Sequence, residues 1–220
     1  MSRRLVDVSH EIEAGMITYP GLPAPVVSDY LGREASRGRY DEGTTFQIGR
    51  IELVGNTGTY IDAPFHRFED GIDLSALPLE RLADVEGLLI DVTVRYGRAI
   101  GEGYFQGLDL RDRAVLIRTG WDAYWRTPQY GESAPFVSRR AAELLVEAAP
   151  ALVGIDSMNI DDAQDGSRPA HTLLLGAGIP VVEHLCNLNE LPAHGFRFHC
   201  VPGKFRGMTS FPVRAYAVIE

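Results

Sequence analysis

Two cysteines, a single lysine and no long apolar run occur in these 220 residues, and each scarcity removes a class of protein. Cys186 and Cys200 form no Cys-x-x-Cys pair, so a disulfide framework or cysteine-ligated zinc is not expected, and both read as small buried hydrophobes. Nothing resembles a bilayer span or a signal-peptide core, so the default expectation is a reducing cytoplasm and no membrane partner. Basic residues are also few: 21 against 30 acidic ones, a net charge of -9, with Lys204 the only lysine and the arginines scattered. Such a balance repels phosphate backbones and excludes nucleic acid as an expected partner.

What is present suffices for one core. A hydrophobic content of 45% over this length fits a single domain spanning 1–220. Short apolar or β-branched runs at Leu5–Val8, Phe46–Val54, Gly87–Val94, Ala114–Arg118, Leu152–Ile155, Ile179–Glu183 and Val213–Ile219 predict strands. Ser138 is a fitting N-cap for a helix over 138–148 that stops before Pro150, and a shorter helix is expected from His171 to Gly176 or Gly178. Adjacent strands early in the chain argue against a regular parallel alternation, so the expectation is an α/β mixed β-sheet with flanking helices. The Pro- and Gly-rich stretches Tyr19–Pro25 and Thr127–Pro135 are expected as loops over the surface or a site.

Candidate chemistry sits in Asn56-Thr57-Gly58-Thr59-Tyr60-Ile61-Asp62-Ala63-Pro64-Phe65-His66. With Asp62 as a helix cap and Pro64 in the first turn, Asp62 and His66 would share a face. A second pair, His171 and Glu183, brackets an apolar segment. A helix rising about 9 Å and a return strand of about 13 Å bring its two ends to similar height. Carboxylates and imidazoles converging from two stretches suit a divalent cation. Taken singly, Asp62 reads as a cap, Glu183 as a solvated or arginine-paired carboxylate, and His66 and His171 as packed histidines. Packing is the favoured reading for His10, His184, His194 and His199, with His184 and His199 kept as possible pocket residues. Trp121, Tyr124, Trp125 and the aromatics near Phe65 and Phe68 read as core before pocket.

These residues resemble the cyclase family that includes bacterial kynurenine formamidases, isatin hydrolases and related metal-dependent hydrolases. The likeness covers most of the chain. It rests on the pattern His-x-Gly-Thr-His-x-Asp-x-Pro-x-His, matched here by Thr57-Gly58-Thr59, Asp62, Pro64 and His66. Arg118-Thr119-Gly120-Trp121, Gly154-Ile155-Asp156-Ser157 with Ile160-Asp161, Ala170-His171-Thr172-Leu173-Leu174 and Ile179-Pro180-Val181-Val182-Glu183 extend it. The resemblance implies a swivelling β/β/α-type fold, assembly as a homodimer or homotetramer, and up to two metal ions. One is held by the two motif histidines and the aspartate, the other by the aspartate, a later histidine and a later glutamate, while the last motif histidine assists the water. Carried over, Asp62, His171 and Glu183 are metal ligands and His66 is catalytic, but Asn56 and Tyr60 replace the two histidines. An amide oxygen is a weak donor and a phenol with a pKa near ~10 holds its proton, so zinc at the first position is weakened. Asn56 and Tyr60 then stand as replacement oxygen ligands, or Tyr60 as a catalytic group. The expected cofactor is one divalent ion, Mn or Zn, with a metal-free form as the other outcome.

Three functions follow. The first is metal-dependent hydrolysis of a small amide or cyclic amide, arylformamidase-like, with activated water as nucleophile. The second is a metal-free cyclase or isomerase using Tyr60 and His66 for acid/base work. The third is a non-catalytic relative that binds a ligand in the same pocket.

Overall fold

The computed structural model describes residues 3–94 and 96–220. In chain order the elements are β1 (Arg4–Asp7), β2 (Val26–Leu31), α1 (Arg33–Ser36), β3 (Ile48–Glu52), β4 (Tyr60–Asp62), β5 (Val85–Asp91), β6 (Ala99–Ile100), β7 (Ala114–Arg118), β8 (Phe136–Val137), α2 (Arg139–Ala148), β9 (Leu152–Ile155), α3 (Pro169–Gly176), β10 (Val181–Glu183), β11 (Phe196–His199), β12 (Ser210–Pro212) and β13 (Tyr216–Ile219). Nine strands form one mixed sheet in the order β1-β13-β11-β5-β7-β9-β10-β4-β12. Its centre, β5-β7-β9-β10, is parallel, and antiparallel strands extend it on both sides. The expected α/β mixed sheet is what forms.

A parallel centre must be covered on both faces, which is why β7 and β9 read as unbroken apolar runs. Alternate residues of β7 go to opposite cores: Ala114 and Leu116 to one, Val115 and Ile117 to the other. The second core is closed by α2 and α3 through Ala141, Ala142, Leu145, Ala170, Leu174 and Leu175. Each fully buried leucine among them contributes about 1.5–3 kcal/mol. The Ser138 hydroxyl accepts from Ala141 N at 3.2 Å, and Ala149 ends α2 at φ 52°, directly before Pro150. Glycine is needed at position 87, where an added Cβ would lie 1.9 Å from the ring of its cross-strand partner Phe196.

Several sequence expectations are corrected. Strands β2, β4, β6, β8, β11 and β12 lie outside the expected runs; β4, β6, β8 and β12 hold only two or three residues, too few to show a period. Of Phe46–Val54 only Ile48–Glu52 is strand, and it pairs with β2 in a separate, exposed ribbon. The second helix starts at Pro169, so His171 lies inside it. His194 is exposed and not packed, while His199 stacks on Tyr216 at 4.5 Å and accepts from Asp84 N, and it does not line the pocket of the candidate ligands. The aromatics Trp121, Tyr124 and Trp125 are half-buried against Tyr130 and Met158, with Trp125 also lining a second pocket, and both cysteines are buried thiols. Among the described residues no helix is long and apolar enough to cross a membrane.

Candidate metal centre

The site is set by the register of β4. Successive side chains of a strand alternate between faces, so Tyr60 and Asp62 point the same way. Tyr60 is paired with Glu183 across β10, and Asp62 with Ser210 across β12. Directly opposed residues of an antiparallel pair touch. The Tyr60 hydroxyl accordingly donates to Glu183 Oε2 at 2.5 Å, and the Ser210 hydroxyl donates to Asp62 Oδ1.

Asp62 is therefore not the helix cap that its spacing suggests. It ends β4, and a 3-10 turn over Pro64–His66 begins after Ala63 without a side-chain cap. The turn still returns His66 towards Asp62, with Nδ1 at 3.8 Å from Oδ1. His66 Nδ1 also lies 3.0 Å from Ser210 Oγ. Because the single Ser210 proton goes to the carboxylate, Nδ1 of His66 must be the donor in that contact, which leaves Nε2 as its basic nitrogen.

His171 arrives from the first turn of α3. Asp161 receives the Ala170 and His171 amides and stands 2.7 Å from His171 Nδ1. That bond fixes a proton on Nδ1 and turns Nε2 towards Asp62 Oδ2 at 3.5 Å and Glu183 Oε1 at 3.6 Å. Glu183 Oε1 accepts from Ile160 N at 2.6 Å, so both of its oxygens are anchored. Asp62 Oδ2 is different: it is buried and has no hydrogen-bond partner.

Three carboxylates surround one imidazole. Burial works against the His171 cation, but Glu183, Asp161 and Asp62 outweigh it and raise its pKa to about 10. Burial pushes Glu183 upwards. It pushes Asp62 the same way, yet the imidazoles of His171 and His66 and the Ser210 hydroxyl hold that carboxyl below its usual range. Burial and the charges of Glu183 and Asp62 lift Tyr60 well above 10, so the phenol keeps its proton.

A pocket of about 300 Å³ opens over this floor, lined by Asn56, Tyr60, His66, His171 and Glu183 with Tyr19, Leu22, Arg67, Asn159 and Arg168. All six candidate residues are thus gathered, Asp62 being tied in through Ser210 and His171. The Tyr19–Pro25 loop reaches the pocket. Ser210 and Asn159 had no sequence signal of their own. Asp161 stood within a motif segment, but its role as the partner of His171 needed α3 to begin before the histidine.

The donor set fits a divalent cation. Ligand atoms of Asp62, His66 and His171 lie within 4.8 Å of one another. An Asp62 oxygen without a hydrogen bond, and three buried carboxylates around one imidazole, are what a cation would satisfy. Fold and site together define a mixed-sheet protein built around a carboxylate–imidazole cluster that could hold a metal ion. The profile of the putative cyclase family matches residues 6–162, and the chain belongs to that family.

Solved structures agree on the fold. Isatin hydrolase A from Labrenzia aggregata is 22% identical with a TM-score of 0.83, over 99% of this chain and 94% of that one. A potential metal-dependent hydrolase with cyclase activity is 27% identical, with a TM-score of 0.76 over 100% and 99%. A predicted metal-dependent hydrolase from Bacillus stearothermophilus is 26% identical, with a TM-score of 0.73 over 100% of both chains.

Proposed function

We propose that this protein is a hydrolase of a small amide or cyclic amide, dependent on one divalent ion, manganese or zinc, held by Asp62, His171 and Glu183. The observation that carries this reading is the buried Asp62 Oδ2, which makes no hydrogen bond and faces His171 Nε2 at 3.5 Å beside the anchored Glu183. When bound, such an ion acidifies a water and offsets charge on a developing oxyanion. His66 is the general base: its Nδ1–H rests on Ser210, its side chain lines the pocket, and Nε2 is the nitrogen left to take a proton. Tyr60 holds Glu183 in place through its hydroxyl and fills the position of a first-site histidine. Asn56 lies beside it on the pocket wall and supplies an amide for orienting the substrate. A phenol raised well above 10 does not exchange protons readily near neutrality, which disfavours the metal-free Tyr60–His66 couple.

The kinship with metal-dependent hydrolases, and an isatin hydrolase as a neighbour in fold, support this class. Chelator-treated protein reloaded with manganese or zinc should bind one ion per chain by elemental analysis and hydrolyse isatin or a formanilide. Asp62→Asn should lose both ion and turnover. Full-rate hydrolysis by the ion-free chain would overturn the reading.

A further inference from the structure

Arg67 and Arg168 line the same pocket as the candidate ligands. Among the described residues neither has a carboxylate within 4.0 Å, although Arg4, Arg98, Arg113, Arg118, Arg197 and Arg214 are all ion-paired. Other arginines of the described residues, Arg33, Arg39, Arg111 and Arg139 among them, also lack an ion pair, but they lie on the open surface, whereas these two line the pocket of the candidate ligands in a chain of net charge -9.

Both are held in place. Arg67 Nε donates to Thr172 Oγ1 at 3.1 Å and its guanidinium lies 5.3 Å over the Phe68 ring. Those contacts use the inner nitrogen and one face, leaving the terminal fork without a protein acceptor among the described residues. Arg168 donates from Nη1 to the Asp162 carbonyl at 3.1 Å, and its backbone sits at φ 45° as the residue before α3. A non-glycine residue there costs about 1 kcal/mol, a strain that persists at binding sites. A planar fork matches the two oxygens of a carboxylate. Tyr19 and Leu22 add an apolar wall, and the volume suits a compound of one or two rings.

We propose that Arg67 and Arg168 form an anion clamp, and that the substrate is a small aryl amide or lactam carrying its own carboxylate. The amide part rests on the hydrolase reading above; the carboxylate part rests on the two arginines. With the carboxylate held by the two arginines at the pocket wall, the amide is left over the centre.

Calorimetry with 2-aminobenzoate and its methyl ester, on the manganese-loaded protein, tests the clamp without turnover. The acid should bind at least about tenfold more tightly than the ester, as two charge-assisted hydrogen bonds imply. Arg67→Gln and Arg168→Gln should each remove most of that preference and the double variant all of it, with ester binding unchanged. Arg67→Lys, which keeps the charge but loses the fork, should fall between. Arg168→Asn, suited to the positive φ, provides a second variant should Arg168→Gln unfold. Equal binding of acid and ester, no binding of the acid, or a preference retained in the double variant would each overturn the clamp. The ratio of kcat/KM for 2-formamidobenzoate over its methyl ester should follow the same order. Acid-selective binding without hydrolysis under any metal condition would instead sink the hydrolase reading and leave the clamp standing.

Discussion

The Tyr60 hydroxyl and Glu183 Oε2 meet at 2.5 Å because β4 and β10 place the two residues directly opposite each other. The contact puts a neutral donor where the family pattern has a histidine and gives one carboxylate oxygen a permanent partner. Removing the hydroxyl leaves a buried carboxyl oxygen with one bond fewer. Tyr60→Phe should therefore lose about 1–3 kcal/mol of stability in ion-free protein. Excess manganese should recover part of that loss, because the ion offers the carboxylate a new partner. Thermal unfolding of both forms with and without manganese checks this; an equal loss in both conditions would show that Glu183 does not face the ion.

Restoring histidine at both altered positions probes the same geometry from the other side. Tyr60 and Asp62 share a face of β4, and Asn56 lies on the adjoining pocket wall. Asn56→His with Tyr60→His should add a second nitrogen-rich position next to Asp62. Metal content should rise from one ion to two per chain by elemental analysis, with zinc gaining more than manganese. A stoichiometry that stays at one would mean the wall has moved too far from Asp62 to complete a second position.

The convergence of Asp62, His66, His171 and Glu183 was legible in the sequence because both pairs lie at short separations within ordered motifs. The mechanism of that convergence was not. Asp62–His66 spacing suggested one helical face, yet the pair is joined by a strand end and a single 3-10 turn, and three-residue β4 is too short to declare a period. Ser210, 144 residues beyond His66, meets it only because β12 joins the sheet edge next to β4. Long-range register of this kind depends on which strands pair, which local patterns do not encode. The central strands were legible for the opposite reason: burial on both faces writes continuous apolar runs.

His10 stacks face to face on Trp125 at 4.0 Å and lies near His184, which is packed between Tyr60 and Tyr130. Burial holds His10 neutral, lowering its pKa to about 4, and His184 to about 3. The unfolded chain has ordinary histidines near 6.5, so between that value and about 4 it binds more protons than the folded chain, and stability falls as pH falls. His10→Gln should flatten this loss by about 1–2 kcal/mol between pH 7.5 and 5, read as the change in denaturant midpoint. An unchanged slope would show that His10 titrates normally in the folded state.

Gly87 and Phe196 test the packing that sets the far side of the sheet. The phenyl ring lies where a Cβ at position 87 would fall, so Gly87→Ala forces the ring or strand β5 to move. The expected cost is about 1–3 kcal/mol. Combining it with Phe196→Leu should cost less than the sum of the two single changes, because a smaller side chain vacates the contested volume. Strict additivity in urea unfolding would place the strain elsewhere.

Asp161 sets the donor orientation of His171 without lining the pocket. Its Oδ2 fixes the Nδ1 proton while its two oxygens also take the amides of Ala170 and His171, so the carboxylate locks both the ring and the first turn of α3. Asp161→Asn keeps the size but offers only one acceptor oxygen, and the ring loses the charge that makes Nε2 a strong donor. Manganese affinity should drop about 10–100-fold, as for other partners behind metal-bound histidines. The fall should appear in the binding constant by calorimetry, with one ion per chain still reached at saturation. His171→Asn should instead abolish the stoichiometric site. Equal affinities for Asp161→Asn and the unaltered protein would mean that His171 does not ligate through Nε2, and the centre would then rest on the carboxylates and His66 alone.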